Sequence, residues 1–253
     1  MSARRLYRNA AGDKNFRSFT VAVKETDLWI AVPADSYSEA LPGRTEELVW
    51  RLRRQLESYI AAHPDFALTR EPYLAEGAAP EVALQMIHAG NTVGVGPMAA
   101  VAGALAEAVG ERLLRHCSQV IVENGGDIFM NTVEPVRVAV LAGKSPLSKK
   151  IALLVEPDGC SCGICTSSGT TGHAYSRGKA DAAVILSPSA ALADAAATAA
   201  GNLVQEPADL EGALSFARSV SGITGALFIC GDRIALWGQL QIQPLTWEDR
   251  VEG

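Results

Sequence analysis

The stretch that decides the fold is residues 192–202, with the sequence LADAAATAAGN. Alanine has the strongest helix propensity of all residues, so this run predicts a helix. Asp194 and Thr198 are four residues apart and therefore lie on the same face of that helix. Ser187 and Pro188 are expected to start it, as the N-cap and the first helical residue. Because alanine leaves little bulk around the pair, a phosphate or a neighbouring backbone segment can approach it closely.

Asp194 and Thr198 allow two interpretations. A hard cation such as Mg²⁺ prefers oxygen ligands, usually one or two carboxylates together with the phosphates of a substrate. The carboxylate and the hydroxyl on one helix face are therefore candidate metal ligands. Alternatively, the helix is simply a tightly packed one, and Asp194 is satisfied by hydrogen bonds within the protein. These residues by themselves leave both interpretations open.

The overall composition indicates a globular protein that does not bind nucleic acid. The chain has 253 residues, of which 48% are hydrophobic and 20% charged, which is ordinary for a protein with a packed core. Its net charge of −6 argues against broad binding to nucleic acid or to an anionic membrane. The first eight residues lack the apolar segment of a signal peptide, and no later stretch reaches the ~20 apolar residues of a membrane helix. We therefore expect a cytoplasmic protein.

Hydrophobic periodicity predicts a mixed chain. Apolar runs or alternation predict strands at 16–23, 28–32, 120–123, 128–131, 136–141, 151–155, 182–186, 226–230 and 234–237. Helical spacing predicts helices at 45–62, 81–89, 98–114 and 210–220, besides the one that carries Asp194. Thr45 is expected to cap the first of them. Residues 65–79 are interpreted as an irregular connection and residues 158–178 as a polar loop.

A weak internal repeat organises these elements. Each half contains an alanine-rich helix followed by a hairpin with Gly-Asp in its turn, at Gly126-Asp127 and at Gly231-Asp232. Several antiparallel hairpins with helices in long connections indicate an α+β fold whose helices pack on one face of the sheet. We expect a single domain over residues 1–253, with repeats of roughly 1–145 and 146–245.

Four segments rich in small residues are expected to meet in space: 94–98, 124–127, 166–173 and 194–198. Exposed backbone N–H groups together with hydroxyls make good anion sites, and the segment 166–173 (TSSGTTGH) is rich in both. The alternative for that segment is an ordinary surface loop.

The order of these motifs resembles the ApbE family, the FAD:protein FMN transferases. The similarity spans roughly residues 91–202 and includes VENGGD at 122–127, CTSSGTTGH at 165–173 and ADAAATA at 193–199. These motifs are most similar to those of a cytoplasmic branch of the family, and the function of that branch is unassigned. The resemblance implies an ApbE-like α+β fold of tandem T-fold-like halves with antiparallel sheets.

The resemblance also implies a site. It assigns Asp194, Thr198 and the backbone carbonyl of Gly96 to Mg²⁺, and His173 to the role of general base or phosphate partner. The implied ligand is FAD or FMN, and the metal would bridge its phosphates while FMN is transferred to a threonine hydroxyl. The residues assigned to the nucleotide are Gly96, Asn124, Gly125, Gly126, Asp127, Thr166, Ser167, Ser168 and Gly169.

The chain departs from the family pattern in ways that keep other functions open. Residues 96–100 contain no lysine where the family has Gly-Ile-Ala-Lys-Gly, and Thr170 and Thr171 stand where an aromatic residue is usual. The first hypothesis is an ApbE-like protein that binds a flavin nucleotide or another small phosphorylated ligand, with Mg²⁺-dependent FMN transfer or FAD pyrophosphate cleavage as its possible chemistry. The second is a non-enzymatic binding protein with the same fold.

A third hypothesis comes from Cys160, Cys162 and Cys165. Closely spaced cysteines can ligate zinc or an iron–sulfur cluster, which would make this segment a metal or redox module. Only three cysteines are clustered, however, and a fourth ligand would have to come from elsewhere in the chain. We expect free thiols rather than an obligatory metal site.

Overall fold

The structure is a computed structural model that describes residues 15–75, 77–156, 159–169 and 178–245. The strands, in chain order, are β1 (Phe16–Val23), β2 (Thr26–Pro33), β3 (Val120–Asn124), β4 (Asp127–Asn131), β5 (Val136–Ala139), β6 (Ile151–Val155), β7 (Cys162–Ser167), β8 (Ala182–Ser187), β9 (Gly225–Cys230), β10 (Arg233–Gly238) and β11 (Gln241–Pro244). The α-helices are α1 (Leu41–Ala62), α2 (Pro64–Leu68), α3 (Glu81–Val93), α4 (Val101–Leu113), α5 (Ala190–Leu203) and α6 (Leu210–Ser219). A 3₁₀ turn, Pro97–Ala100, leads directly into α4.

The larger sheet has eight antiparallel strands in the order β1-β2-β3-β4-β7-β8-β9-β10. It consists of two consecutive runs of four strands, and each run is interrupted at its middle by helices: α1 to α4 in the first, α5 and α6 in the second. This arrangement confirms the predicted α+β class with antiparallel pairing. The division of the chain into repeats at about residue 145 stays a prediction.

Alternation along the strands separates two hydrophobic cores. Leu28 and Ile30 of β2 face the helices, whereas Trp29 and Ala31 face the other side of the sheet. The helices pack on one face of the large sheet, as predicted. The alanines of α5 allow this helix to lie deep in the helical core, where Ala193 has no exposed surface.

A second sheet, in the order β11-β6-β5, supplies residues to the core on the opposite face. Leu153 of β6 and Leu227 of β9 are both fully buried in that core. The sequence indicated β5 and β6 as strands but gave no sign of β11 or of a third layer. Among the described helices, none is long and apolar enough to cross a membrane by itself, and α3 joined to the segment Pro97–Leu113 satisfies the length and composition only as a pair bent by 105°.

Two helix starts differ from the prediction. Helix α1 begins at Leu41, and Thr45 lies buried in its first turn, where its hydroxyl donates to the Leu41 carbonyl oxygen at 2.8 Å instead of capping the helix. Helix α5 begins at Ala190 with Ser189 as its N-cap, whose hydroxyl accepts from the Leu192 N–H at 3.2 Å. Ser187 cannot be the cap because it is still paired in strand β8.

The predicted polar loop at 158–178 is wrong over part of its length. Residues Cys162–Ser167 form β7, which pairs with β4 on one side and β8 on the other near the middle of the large sheet. The segment CGICTS has no polar–apolar alternation because both faces of the sheet are covered there, so the usual sequence signal of a strand is missing.

Candidate functional site

The start of helix α4 is the feature around which the candidate site is built. Pro97 opens the 3₁₀ turn, and Gly96 immediately precedes it. A β-carbon at Gly96 would collide with the backbone of Thr69, so only glycine allows the two segments to lie this close. The turn is therefore held against the loop that follows α2, and one cavity opens on each side of it.

The larger cavity has a volume of about 660 Å³. Gly96 and Thr198, both assigned to the metal by the resemblance, line it together, with Asn202 one turn further along α5. Among its described lining residues, Arg70 is basic and the adjacent Glu71 is acidic. Gly96 and Thr198 are about a hundred positions apart in the sequence, and the fold brings them to one cavity.

Asp194 lies one turn before Thr198 and contacts the beginning of α4. Its Oδ2 accepts a hydrogen bond from the Gly103 N–H at 2.9 Å, and the Ala102 N–H lies near this carboxylate. These are orphan donors of the first helical turn, which a carboxylate satisfies favourably. At least one oxygen of Asp194 is therefore satisfied by a hydrogen bond within the protein, as the second interpretation of this residue expected.

The environment of Asp194 destabilises its charge. The residue keeps a small exposed surface, yet its carboxyl group is enclosed by protein, and this burial raises the pKa of Asp194 well above its usual value. Repulsion from the Asp127 carboxylate raises it further, while the N–H groups of Gly103 and Ala102 lower it. A cation beside Asp194 would stabilise its charge, and the oxygen set of Asp194, Thr198 and the Gly96 carbonyl suits Mg²⁺. These residues therefore fit the implied metal, although the described residues contain no group of three or more His, Cys, Asp or Glu arranged to hold one.

The hairpin of β3 and β4 positions the second carboxylate. Gly125 and Gly126 form its two-residue turn with φ of 71° and 116°, values that favour glycine. Asn124 donates from Nδ2 to the Ala102 carbonyl oxygen at 3.1 Å, which ties the hairpin to the start of α4. Asp127 accepts from the Thr166 N–H at 3.2 Å, which ties it to β7.

The remaining residues assigned to the nucleotide lie at the end of β7 or beyond it. Ser167 is the last residue of that strand, and Ser168 and Gly169 follow it; neither cavity beside α4 is lined by them. The Gly169 N–H donates to the Ala180 carbonyl oxygen at 2.9 Å. His173 lies outside the described residues, so its role as base or phosphate partner stays a prediction.

The three clustered cysteines do not face one space. Cys165 belongs to the helical core, where its thiol donates to the Ala190 carbonyl oxygen at 3.3 Å. Cys162 lies three residues earlier on the same strand and packs against the opposite core, where it lines another cavity together with Cys160. Because neighbouring positions of a strand alternate between faces, Cys162 and Cys165 cannot ligate the same ion. Burial also raises the pKa of Cys165 well above its usual value, which disfavours the thiolate that metals require.

Two parts of the site escaped the sequence interpretation. The loop after α2 was interpreted only as an irregular connection, yet it brings Arg70 to the larger cavity. Asn91 of α3 fixes that loop, since its side chain accepts from the Tyr73 N–H at 2.8 Å and donates to the Tyr73 carbonyl oxygen at 2.9 Å. An amide pairing with the backbone eighteen residues away has no local sequence signal.

The second missed feature is Glu107, a buried carboxylate of α4. Its Oε2 accepts from the Ser189 hydroxyl at 3.0 Å and from the Ala191 N–H at 2.9 Å. Glu107 thus caps α5, while Asp194 of α5 caps α4. This reciprocal capping fixes α5, which carries Asp194 and Thr198, relative to α4, whose start follows Gly96 and the 3₁₀ turn.

Comparison with known proteins assigns the family. The family model described as AbpE bacteria matches residues 8–236. The chain belongs to this family. It is 42% identical over 220 residues to a UPF0280 protein of Methanosarcina acetivorans, covering 86% of this chain and 85% of the relative. A UPF0280 protein of Methanocaldococcus jannaschii is 34% identical over 225 residues, covering 87% and 90%.

Solved structures of similar fold are flavin transferases. The apo form of the Pseudomonas stutzeri flavinyl transferase ApbE has a TM-score of 0.59 and 18% identity, covering 90% of this chain and 94% of that protein. The flavin transferase ApbE from Vibrio cholerae has a TM-score of 0.58 and 12% identity, covering 88% and 97%. At these identities the family member described here shares the ApbE fold, which confirms the fold implied by the resemblance.

Proposed function

We propose that the protein binds a flavin nucleotide, FAD or FMN, with its phosphates in the cavity lined by Gly96 and Thr198. The observation that carries this proposal is the cavity that Gly96, Thr198 and Arg70 line together. Asp194 lies one helical turn before Thr198 and bonds the start of α4. The names of the ApbE neighbours support the flavin, and the basic Arg70 supports a phosphate. The location expected from the sequence, the cytoplasm, stays part of the proposal.

The residues of the site would bind the metal and orient the phosphates of the ligand. Asp194, Thr198 and the Gly96 carbonyl would hold Mg²⁺, which supplies charge neutralisation at the phosphates when bound. Asp194 would remain anchored to α4 by its bond to the Gly103 N–H, so that its position does not depend on the ligand. Arg70, whose backbone lies against Gly96, would orient a phosphate oxygen.

Two reactions are compatible with this binding mode. In FMN transfer, a threonine hydroxyl loses its proton and bonds to the FMN phosphorus of FAD, and the bond to AMP breaks. In pyrophosphate cleavage, water takes the place of that hydroxyl and the products are FMN and AMP. His173 is the proposed acceptor of the proton in either case. A binding protein without turnover is the second candidate, and the missing lysine in residues 96–100 favours it.

Product analysis separates these candidates. The purified protein is incubated with FAD and Mg²⁺, and FMN, AMP and flavin-modified threonine are measured by chromatography and mass spectrometry. FMN together with AMP indicates cleavage, and AMP with flavin-modified threonine indicates transfer. FAD retained without products indicates the binding protein.

Calorimetry tests the proposed site directly. Two protein side chains cannot complete the six-coordinate shell of Mg²⁺, so phosphate oxygens should tighten the metal and the metal should tighten the phosphates by the same factor. Asp194→Asn keeps the shape and removes the charge, so it should abolish this coupling. Equal affinity for FAD, FMN and ADP with and without Mg²⁺, unchanged in Asp194→Asn, would contradict the metal assignment.

A further inference from the structure

A second cavity, with a volume of about 310 Å³, lies on the other side of the start of α4. It shares two lining residues, Met98 and Val101, with the larger cavity, so the two spaces adjoin at these side chains. Leu56 and Ile60 of α1 and Leu105 of α4 make most of the remaining surface apolar. Nothing in the sequence had connected α1 with the candidate site.

The polar end of this cavity carries no net charge. Arg53 donates to Thr26 Oγ1 at 2.6 Å, to Glu25 Oε2 at 2.5 Å and to Glu57 Oε1 at 2.9 Å. Lys24 donates to the other oxygen of Glu57 at 2.6 Å, so two cations face two carboxylates. The side chain of Arg53 is only 13% exposed, and its guanidinium is held by these hydrogen bonds. A neutral, hydrogen-bonding end beside apolar walls does not attract a phosphate and suits an uncharged ring.

Asn124 connects this cavity to the β3–β4 hairpin that carries Asp127. It lines the cavity and uses one Nδ2–H to bond the Ala102 carbonyl oxygen. A carboxamide has two donors and an acceptor, so Asn124 keeps capacity for the edge of a heterocycle. A volume of about 310 Å³ also falls at the lower end of the range for small-molecule sites, about 300–1,000 Å³.

We infer that this cavity holds the heteroaromatic ring of the same ligand whose phosphates occupy the larger cavity, with the chain between ring and phosphate crossing at Met98 and Val101. The inference rests on the proposed function and adds to it the orientation of the ligand and the group that selects it. A ligand must then carry both a flat, uncharged ring and a phosphate, and either part alone binds weakly.

Filling the ring cavity tests this orientation. Ile60 is half-buried and lines the cavity, so Ile60→Trp should occupy the space without opening the core. Ser58→Trp places the same side chain at an exposed position of α1 and is the matched control. Affinities for FMN and for inorganic pyrophosphate, both with Mg²⁺, are measured by calorimetry, and circular dichroism and thermal melting confirm that each variant is folded.

Ile60→Trp should weaken FMN binding at least tenfold and leave pyrophosphate binding unchanged, whereas Ser58→Trp should change neither. If Ile60→Trp does not fold, Ile60→Phe fills the same space with a smaller side chain and is used in its place. Unchanged FMN affinity in the folded filling variant overturns the ring position while the proposed function stands. A wild type that binds pyrophosphate but not FMN overturns the ring position and the flavin of the proposed function, and leaves only its phosphate site. A wild type that binds neither overturns the proposed function together with this inference.

Discussion

Removing the carboxylate of Glu107 should destabilise the protein much more than its position on one helix suggests. Glu107 is 8% exposed and accepts two hydrogen bonds, from the Ser189 hydroxyl and from the Ala191 N–H, at the first turn of α5. In Glu107→Ala both donors lose their acceptor in a place that water reaches poorly. Each buried donor left unsatisfied costs about 1–3 kcal/mol, so the free energy of unfolding should fall by about 2–6 kcal/mol.

Glu107→Gln separates the contribution of the charge from that of the contact. Both bonds go to one carboxylate oxygen, so the amide oxygen can still accept them. What is lost is the attraction of the charge to the helix N-terminus, about 0.3–2 kcal/mol. The order of stability should therefore be wild type, then the glutamine variant, then the alanine variant. Each kcal/mol corresponds to a melting temperature change of about 2–4 °C in a chain of this size.

Reversible urea unfolding, followed by circular dichroism, measures these differences. Glu111→Gln is the control, since Glu111 lies on the same helix with most of its surface exposed. Partial burial of its carboxyl group, together with repulsion from Glu107 and Glu81, raises the pKa of Glu111. Neutralising Glu111 should leave stability unchanged or increase it slightly. If Glu107→Ala and Glu111→Gln are equally stable within about 0.5 kcal/mol, which is the usual spread of surface substitutions, the reciprocal capping of α4 and α5 has no energetic weight.

Three further predictions concern packing, pH and metal content. A β-carbon at Gly103 would collide with the Ala190 carbonyl oxygen of α5, so Gly103→Ala should lower the free energy of unfolding by about 1–3 kcal/mol. Gly212→Ala of α6 meets open space and should raise the free energy of unfolding by about 0.5–1 kcal/mol. Equal effects of the two variants in urea unfolding would argue against the close approach of Gly103 to Ala190. The folded state raises the pKa of Asp194 above its usual value of 3.8. The ligand-free wild type should therefore gain stability relative to Asp194→Asn as the pH falls from the raised pKa towards 3.8, and should lose this stability as the pH rises. Curves of stability against pH that stay parallel for the two proteins would refute this prediction. Elemental analysis of anaerobically purified protein should find less than one equivalent of zinc or iron, and a full equivalent that Cys162→Ser removes would reverse our interpretation of the cysteines.

Local sequence determined those features whose causes lie within a few residues. The alanine run produced α5 and put Asp194 and Thr198 on one face, because helix propensity and the helical period act over a single turn or two. The turn at Gly125 and Gly126 could likewise be predicted, since two positive φ angles demand this residue type. The class of fold followed from the same local patterns taken in order.

Tertiary structure alone decided which of these local features meet. Asp194 bonds Gly103 across 91 positions of the chain, and no periodicity links the two. β7 is a strand because β4 and β8 pair with it and layers cover both its faces, so its sequence lacks the alternation that marks a half-exposed strand. Arg53 and Ile60 are ordinary residues of an amphipathic helix until the fold lays α1 beside the start of α4 and encloses a cavity between them. Pairing and enclosure depend on contacts between distant segments, whereas propensity depends on neighbours, and the candidate site is built almost entirely from the former.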